Sequence, residues 1–189
     1  MAGLTRIHAC YFEFAFFTGM RPGELMALRW EEIDFKGRNA HVCRIVVDDA
    51  IKDRVKTKHH RQVLLNDRAP HALKEARTLT QARSAFVFAP ARMEEGQDWI
   101  RSDSTTKGYV NQALRALGIR VRRQYDTRHT YATMCLMAGM NAAFIANQLG
   151  HSVQMLLSTY AKWLNSTSDW SELQKLENQQ IGTKLVQEK

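Results

Sequence analysis

Between Ala40 and Leu65 the apolar residues of this chain change their spacing, and that change limits what the chain can fold into. Before it, Ile7, Cys10, Tyr11, Phe14 and Phe17 line one side of a helical projection. Within it, Val42, Arg44-Ile45-Val46-Val47, Ala50-Ile51 and Val63-Leu64-Leu65 are β-favouring runs separated by charged turns. Three short antiparallel strands are the simplest reading. After Pro70 the helical spacing returns. The expected class is therefore α+β, mostly helical with a small three-stranded antiparallel sheet.

Turn and cap signals divide the helical regions. Thr18-Gly19 ends the first helix, and Pro22 opens a short second one with Glu24 in its first turn and Leu25, Met26 and Leu28 inward. Trp30 to Lys36 reads as a helix exit and turn closed by Gly37. Leu73, Ala76, Arg77 and Leu79 share the next helix, and Ala85-Phe86-Val87-Phe88 is a short apolar run that Pro90 ends. Ser104 or Thr105 can cap a helix carrying Val110, Ala113, Leu114 and Leu117, which Gly118 stops. Asp126 can cap another, with Ala132, Cys135, Leu136 and Gly139 on its face. Asn141 can cap a helix with Phe144, Ile145 and Leu149 that Gly150 ends, and Met155 to Leu164 forms one more. Trp170, Leu173 and Leu176 keep helical spacing before the tail turns polar.

A length of 189 residues suits one sizeable core rather than two full domains. Lys plus Arg number 27 against 19 acids, a net charge of +8 that favours a polyanionic partner through counterion release. Charge alone does not separate DNA from RNA or an anionic membrane. Cys10, Cys43 and Cys135 are odd in number and far apart, which argues against a disulfide framework and fits a reducing cytosol. Cys10 and Cys135 read as small buried hydrophobes. No Cys/His spacing matches a metal site, and the apolar Phe12 to Phe17 is too short to span a membrane and is interrupted by Glu13.

The chemistry-bearing residues gather late in the chain. Tyr125-Asp126-Thr127-Arg128-His129-Thr130 is followed by Leu149-Gly150-His151 and, nine positions after that histidine, by Tyr160. Arg21 lies far upstream in Thr18-Gly19-Met20-Arg21-Pro22-Gly23-Glu24-Leu25. Breaking a phosphodiester gathers charge on the non-bridging oxygens, where fixed cationic donors must wait. Arginine suits that role through its planar, permanently charged fork. Arg21 and Arg128 both stand near expected helix N-termini, which also favour an anion. Tyr160 can attack and hold a phosphoester, although a phenol of pKa about 10 must lose its proton on the way. The departing 5′ oxygen needs a proton, which a lysine on a hairpin tip can deliver. Glu24 reads as an orienting partner for Arg21 or a helix-start acid.

These residues resemble the catalytic domain of the tyrosine recombinase (phage integrase) family, over roughly Leu4 to Leu164 and in the family's order. The Arg21 segment resembles the first-arginine box, and Trp30 to Phe35 the Trp-x-x-Ile-Asp segment after it. Arg128-His129-Thr130 resembles the second-arginine box, Leu149-Gly150-His151-Ser152 the late-histidine box, and Tyr160 the nucleophile. The resemblance puts a general-acid lysine on the hairpin between the second and third strands, at Lys56, with Lys58 as the near competitor. One position departs: where the family usually has a histidine that helps take the nucleophile's proton, this chain has Tyr125. Either Tyr125 supports the phosphate while His151 or water takes the proton, or the enzyme is slow or inactive.

The resemblance implies the tyrosine recombinase catalytic-domain fold over residues 1–164, with a tail over 165–189 whose short helix packs on its own domain or is exchanged between protomers. It implies a site-specific recombinase or integrase that joins DNA through a 3′-phosphotyrosyl link, with no cofactor and no metal. Its catalytic residues are Arg21, Lys56, Tyr125, Arg128, His151 and Tyr160. Lys52, Arg54, Lys58, Arg61, Arg120, Arg122 and Arg123 read as phosphate-backbone contacts or solvated charges. The expected partners are double-stranded DNA and further copies in a tetrameric synapse of the full-length protein. No membrane is involved, and the expected setting is the bacterial cytoplasm. No counterpart of the family's N-terminal core-binding domain precedes Leu4, so an isolated catalytic domain with weak, salt-sensitive DNA binding is expected. The alternatives are type IB topoisomerase-like relaxation or a catalytically weak DNA-binding relative.

Overall fold

The computed structural model describes residues 2–53, 60–90 and 98–160. Its seven α-helices are α1 (Ala2–Thr18), α2 (Pro22–Ala27), α3 (Arg68–Thr80), α4 (Asp103–Ala116), α5 (Asp126–Met137), α6 (Ala142–Leu149) and α7 (Val153–Tyr160). The strands are β1 (Ile33–Asp34), β2 (Asn39–Val42), β3 (Arg44–Val47), β4 (Ala50–Asp53) and β5 (Arg61–Leu64). The α+β class holds, but the strand region is more divided than the three-strand reading. Strands β1, β2 and β5 form a three-stranded antiparallel sheet, while β3 and β4 form a separate hairpin. The chain leaves the first sheet at Cys43, and Asp48 and Asp49 turn the hairpin with φ of 52° and 55°. Positive φ at both positions of a two-residue loop follows the strand twist, and Asp tolerates it better than most residues.

The apolar stripe of α1 is the centre of the larger core. Ile7, Cys10, Tyr11 and Phe14 pack with Leu25, Leu28, Leu73 and Phe88, all buried. Helices α3 and α5 flank α1. A second cluster joins α5, α6 and α7 through Ala132, Leu136, Ile145, Leu149 and Leu156. Each fully buried leucine or isoleucine there stabilises the packing by about 1.5–3 kcal/mol. Asn141 caps α6 as expected, its Oδ1 accepting from the backbone of Ala143 and Phe144. Two other caps differ. Ser102 caps α4 rather than Ser104 or Thr105, and Asp126 lies inside α5, where its carboxylate accepts from the Arg123 backbone N–H at 3.1 Å. Helix α5 stops at Met137, so Gly139, with φ of 70°, lies past its end. Arg54, Lys56, Lys58 and the tail of 165–189 lie outside the described residues.

Candidate active site

Arg128 stands in the first turn of α5 with no exposed surface, so its donors must be matched by acceptors. Nη1 donates to the Gly19 carbonyl at 2.6 Å, and Nη2 donates to the Leu149 carbonyl. Both carbonyls sit where a helix stops. Gly19 follows α1 with φ of 62°, and Leu149 closes α6 before Gly150 at φ of 64°. Helix ends leave such carbonyls without an intrahelical donor and carry the negative end of the dipole, so they hold a buried cation well. Gly19 admits no side chain: a Cβ there would lie 2.5 Å from the Tyr131 ring and 2.8 Å from Leu149.

Nη2 of Arg128 also meets Nε2 of His151 at 2.8 Å. A guanidinium only donates, so Nε2 accepts and the neutral ring carries its proton on Nδ1. Burial, reinforced by the charges of Arg128, Arg21 and Arg61, holds the His151 imidazole down to about 4. It is neutral at pH 7. Burial and then the Arg21 charge bring Arg128 down to about 10, which leaves it charged. Among the described residues, Nε of Arg128 and Nδ1 of His151 are buried with no protein partner. Both are donors that the protein itself leaves unmatched.

Arg21 caps α2 and is held by Glu24, whose Oε2 accepts from the Arg21 backbone N–H at 2.9 Å and Oε1 from Nη1 at 3.0 Å. The same carboxylate takes the fork of Arg61, with Nη1 at 2.9 Å and Nη2 at 2.6 Å. Burial alone would raise Glu24, but the hydrogen bonds and charges of Arg61 and Arg21 outweigh it and bring the carboxyl down to about 2. Nε of Arg61 donates to the Gln148 carbonyl at 2.9 Å, and Oε1 of Gln148 accepts from the Leu64 backbone at 3.0 Å. One carboxylate therefore links α2 through β5 to the end of α6. Arg61 is a correction: it is not an outward phosphate contact but an inward clamp whose side chain is 7% exposed. Period-2 alternation puts it on the same strand face as buried Val63.

Tyr160 is buried in the α5–α7 cluster, and its hydroxyl lies 2.7 Å from Nδ1 of His129. The Tyr125 and His129 rings meet edge to face, with centroids 5.2 Å apart. Burial raises the Tyr160 phenol above its ordinary range while the Arg128 charge works against it. Of the sequence-predicted catalytic residues, Arg21, Tyr125, His151 and Tyr160 all lie within electrostatic reach of Arg128. Lys56 falls outside the described residues. Among the basic positions, Lys52 is exposed beside Asp48 at 3.5 Å, Arg120 and Arg122 are exposed, and Arg123 pairs with Asp126 at 3.1 Å. Sequence reasoning places His129 within the Arg128 box and gives it no role. One helical residue is a rotation of about 100°, which aims His129 away from Arg128 and toward α7. No helix among the described residues is long and apolar enough to cross a membrane.

Residues 4–166 match the phage integrase family. The chain is 34% identical to the prophage integrase IntR of Escherichia coli (strain K12), over 83% of this chain and 43% of that protein. It is also 34% identical to IntQ of the same strain, a protein named as defective, over 81% of this chain and 44% of that one. It thus spans less than half the length of these curated relatives. Among solved structures, the Tn1549 transposon integrase in complex with circular intermediate DNA matches with a TM-score of 0.69 at 18% identity, over 90% of this chain and 59% of that one. XerA recombinase matches with a TM-score of 0.62 at 19% identity, over 95% and 62%. These likenesses concern the fold. With the family match over most of its length, the chain belongs to the phage integrase family and has the catalytic-domain fold of tyrosine recombinases.

Proposed function

We propose that this chain is the strand-cutting and rejoining part of a site-specific DNA recombinase. The observation that carries the reading is Arg128: fully buried, anchored to two helix ends, bonded to His151 and within electrostatic reach of Tyr160. Arg21, Arg128 and His151 hold the scissile phosphate, and Tyr160 attacks phosphorus in line. The P–O5′ bond breaks, a 3′-phosphotyrosyl ester forms, and Lys56 protonates the departing 5′ oxygen. A 5′-hydroxyl of a partner strand then attacks the ester and releases Tyr160. The covalent link keeps the bond energy, so the cycle consumes neither ATP nor a metal ion. Double-stranded DNA in the bacterial cytoplasm is the substrate, and exchange proceeds in a tetrameric synapse of the full-length protein.

A nicked suicide substrate tests this. Tyr160→Phe should bind the DNA as the unaltered chain does and give no covalent complex; a surviving covalent band removes Tyr160 as nucleophile. A 5′-thio leaving group needs little protonation, so it should rescue Lys56→Ala. Rescue of Lys58→Ala instead moves the general acid by two residues. The second reading, a catalytically weak DNA-binding relative, draws on Tyr125 at the position where the family usually has histidine. An unaltered chain that binds DNA and yields no covalent complex would favour it.

A further inference from the structure

Tyr125 leaves the attacking tyrosine without the usual imidazole, and His151 does not fill the gap. Its Nε2 is occupied in accepting from Arg128 at 2.8 Å, which leaves Nδ1–H, a donor rather than a base. The imidazole that contacts Tyr160 is His129. Resting on the strand-transfer reading above, we propose that His129 is the proton acceptor for Tyr160, its Nδ1 lying 2.7 Å from the hydroxyl.

The geometry suits both directions of the reaction. With Nδ1 accepting the Tyr160 O–H, the neutral ring carries its proton on Nε2. As Oη forms its bond to phosphorus and the P–O5′ bond breaks, the phenolic proton passes to Nδ1 and gives an imidazolium. The 5′ oxygen takes a separate proton from the lysine. In rejoining, the incoming 5′-hydroxyl returns a proton to the lysine as it attacks, the P–Oη bond breaks, and His129 returns its proton to the phenolate. No proton is gained or lost over the cycle.

The surroundings keep the ring in the form this role needs. Burial lowers the His129 imidazole below its ordinary value, Arg123 and Arg128 lower it further, and Asp126 opposes them. From α7 the facing titratable group is Tyr160 itself, and Tyr125, in the lead-in to α5, packs against the ring edge to face. A neutral ring at pH 7 is free to accept. Tyr125 then shapes the base instead of replacing it.

The alternative is that His129 only pins α7 to α5. Asparagine separates the two, because its Oδ1 stands where Nδ1 stood and can accept the hydroxyl but takes no proton. His129→Asn should fold, bind DNA as the unaltered chain does, and cleave the suicide substrate at least about 10²-fold more slowly at pH 7. The unaltered chain's rate should rise with pH through a midpoint below the ordinary histidine value and then level. That limb should be missing in His129→Asn, and added imidazole should speed His129→Ala. A loss below tenfold, or a persisting limb, overturns the proposal. Should both variants fail to fold, ¹⁵N NMR of the unaltered chain decides: an unprotonated Nδ1 on His129 supports it, and a neutral ring with Nδ1–H overturns it. An unaltered chain that forms no covalent complex defeats the strand-transfer reading first, and this inference with it.

Discussion

Replacing Glu24 by glutamine removes one charge from the carboxylate that ties three elements together. Glu24 has no exposed side-chain surface and accepts from Arg21 and from both Nη atoms of Arg61. The glutamine amide would keep the shape but offer one acceptor and turn two N–H donors toward guanidinium donors. Arg61, with a side chain only 7% exposed, would keep the Gln148 carbonyl and lose its counter-charge. Breaking a buried pair from one side costs about 3–5 kcal/mol. The carboxyl itself gives a second measure. Its fall from the ordinary 4.5 to about 2 corresponds to about 3 kcal/mol, at about 1.4 kcal/mol per pH unit.

Urea unfolding at pH 7 should therefore show Glu24→Gln less stable by about 3–5 kcal/mol. The sign of the pH dependence follows from the depressed carboxyl. Its contribution is complete above the unfolded value of 4.5 and fades as pH falls toward about 2. The gap between the unaltered chain and Glu24→Gln should close over that window. Adding Arg61→Gln to Glu24→Gln should restore part of the lost stability, because it removes the stranded charge. A single variant within about 1 kcal/mol of the unaltered chain, or a gap unchanged between pH 5 and 2, would refute the reasoning.

Gly19→Ala should lower thermal stability by about 2 kcal/mol or more, since it combines an unfavourable φ with a clash against Tyr131 and Leu149. Because the Gly19 carbonyl holds Arg128, covalent complex formation should fall with it, and an unchanged melting temperature would discard the close approach. His151 should stay neutral as pH falls from 7.5 to 5, its ring protonating only near 4 in an NMR titration of the free protein. Its folded value lies below the unfolded one, so protonation opposes folding below about 6.5. A midpoint near 6.5 would show that the ring does not face the guanidinium.

What is legible in the sequence is whatever depends on local pattern. The stripe of α1, the Asn141 cap and the Gly150 stop follow from spacing and turn chemistry within a few residues. The convergence of Arg21, His151 and Tyr160 on Arg128 is legible only through the family resemblance, since no local rule brings residues 21 and 128 together. Arg61 misleads because it ends a basic run, where composition suggests solvent. Its strand register, set by pairing with Val42 across the sheet, decides otherwise. The split into two sheets at Cys43 depends on where the Asp48-Asp49 turn falls, and the β runs alone do not specify that register. His129 escapes notice because the residue beside a strong motif position is read as part of the motif. Its partner is 31 residues away on another helix.

The same details explain why the site is assembled from helix ends rather than from a row of side-chain pairs. A buried guanidinium needs acceptors that do not themselves titrate or swing, and backbone carbonyls meet both conditions. Two are supplied at points where α1 and α6 break in left-handed glycines, so the turns that end those helices also fix the cation. Carboxylates are kept one layer back: Glu24 orients Arg21 and clamps Arg61, while Arg128 is held by carbonyls and a neutral imidazole. On the strand-transfer reading, an anionic partner in direct contact would neutralise the charge proposed to meet a phosphate. Arg128 thus has no carboxylate in direct contact among the described residues, and its position is as firm as the two helix ends that hold it.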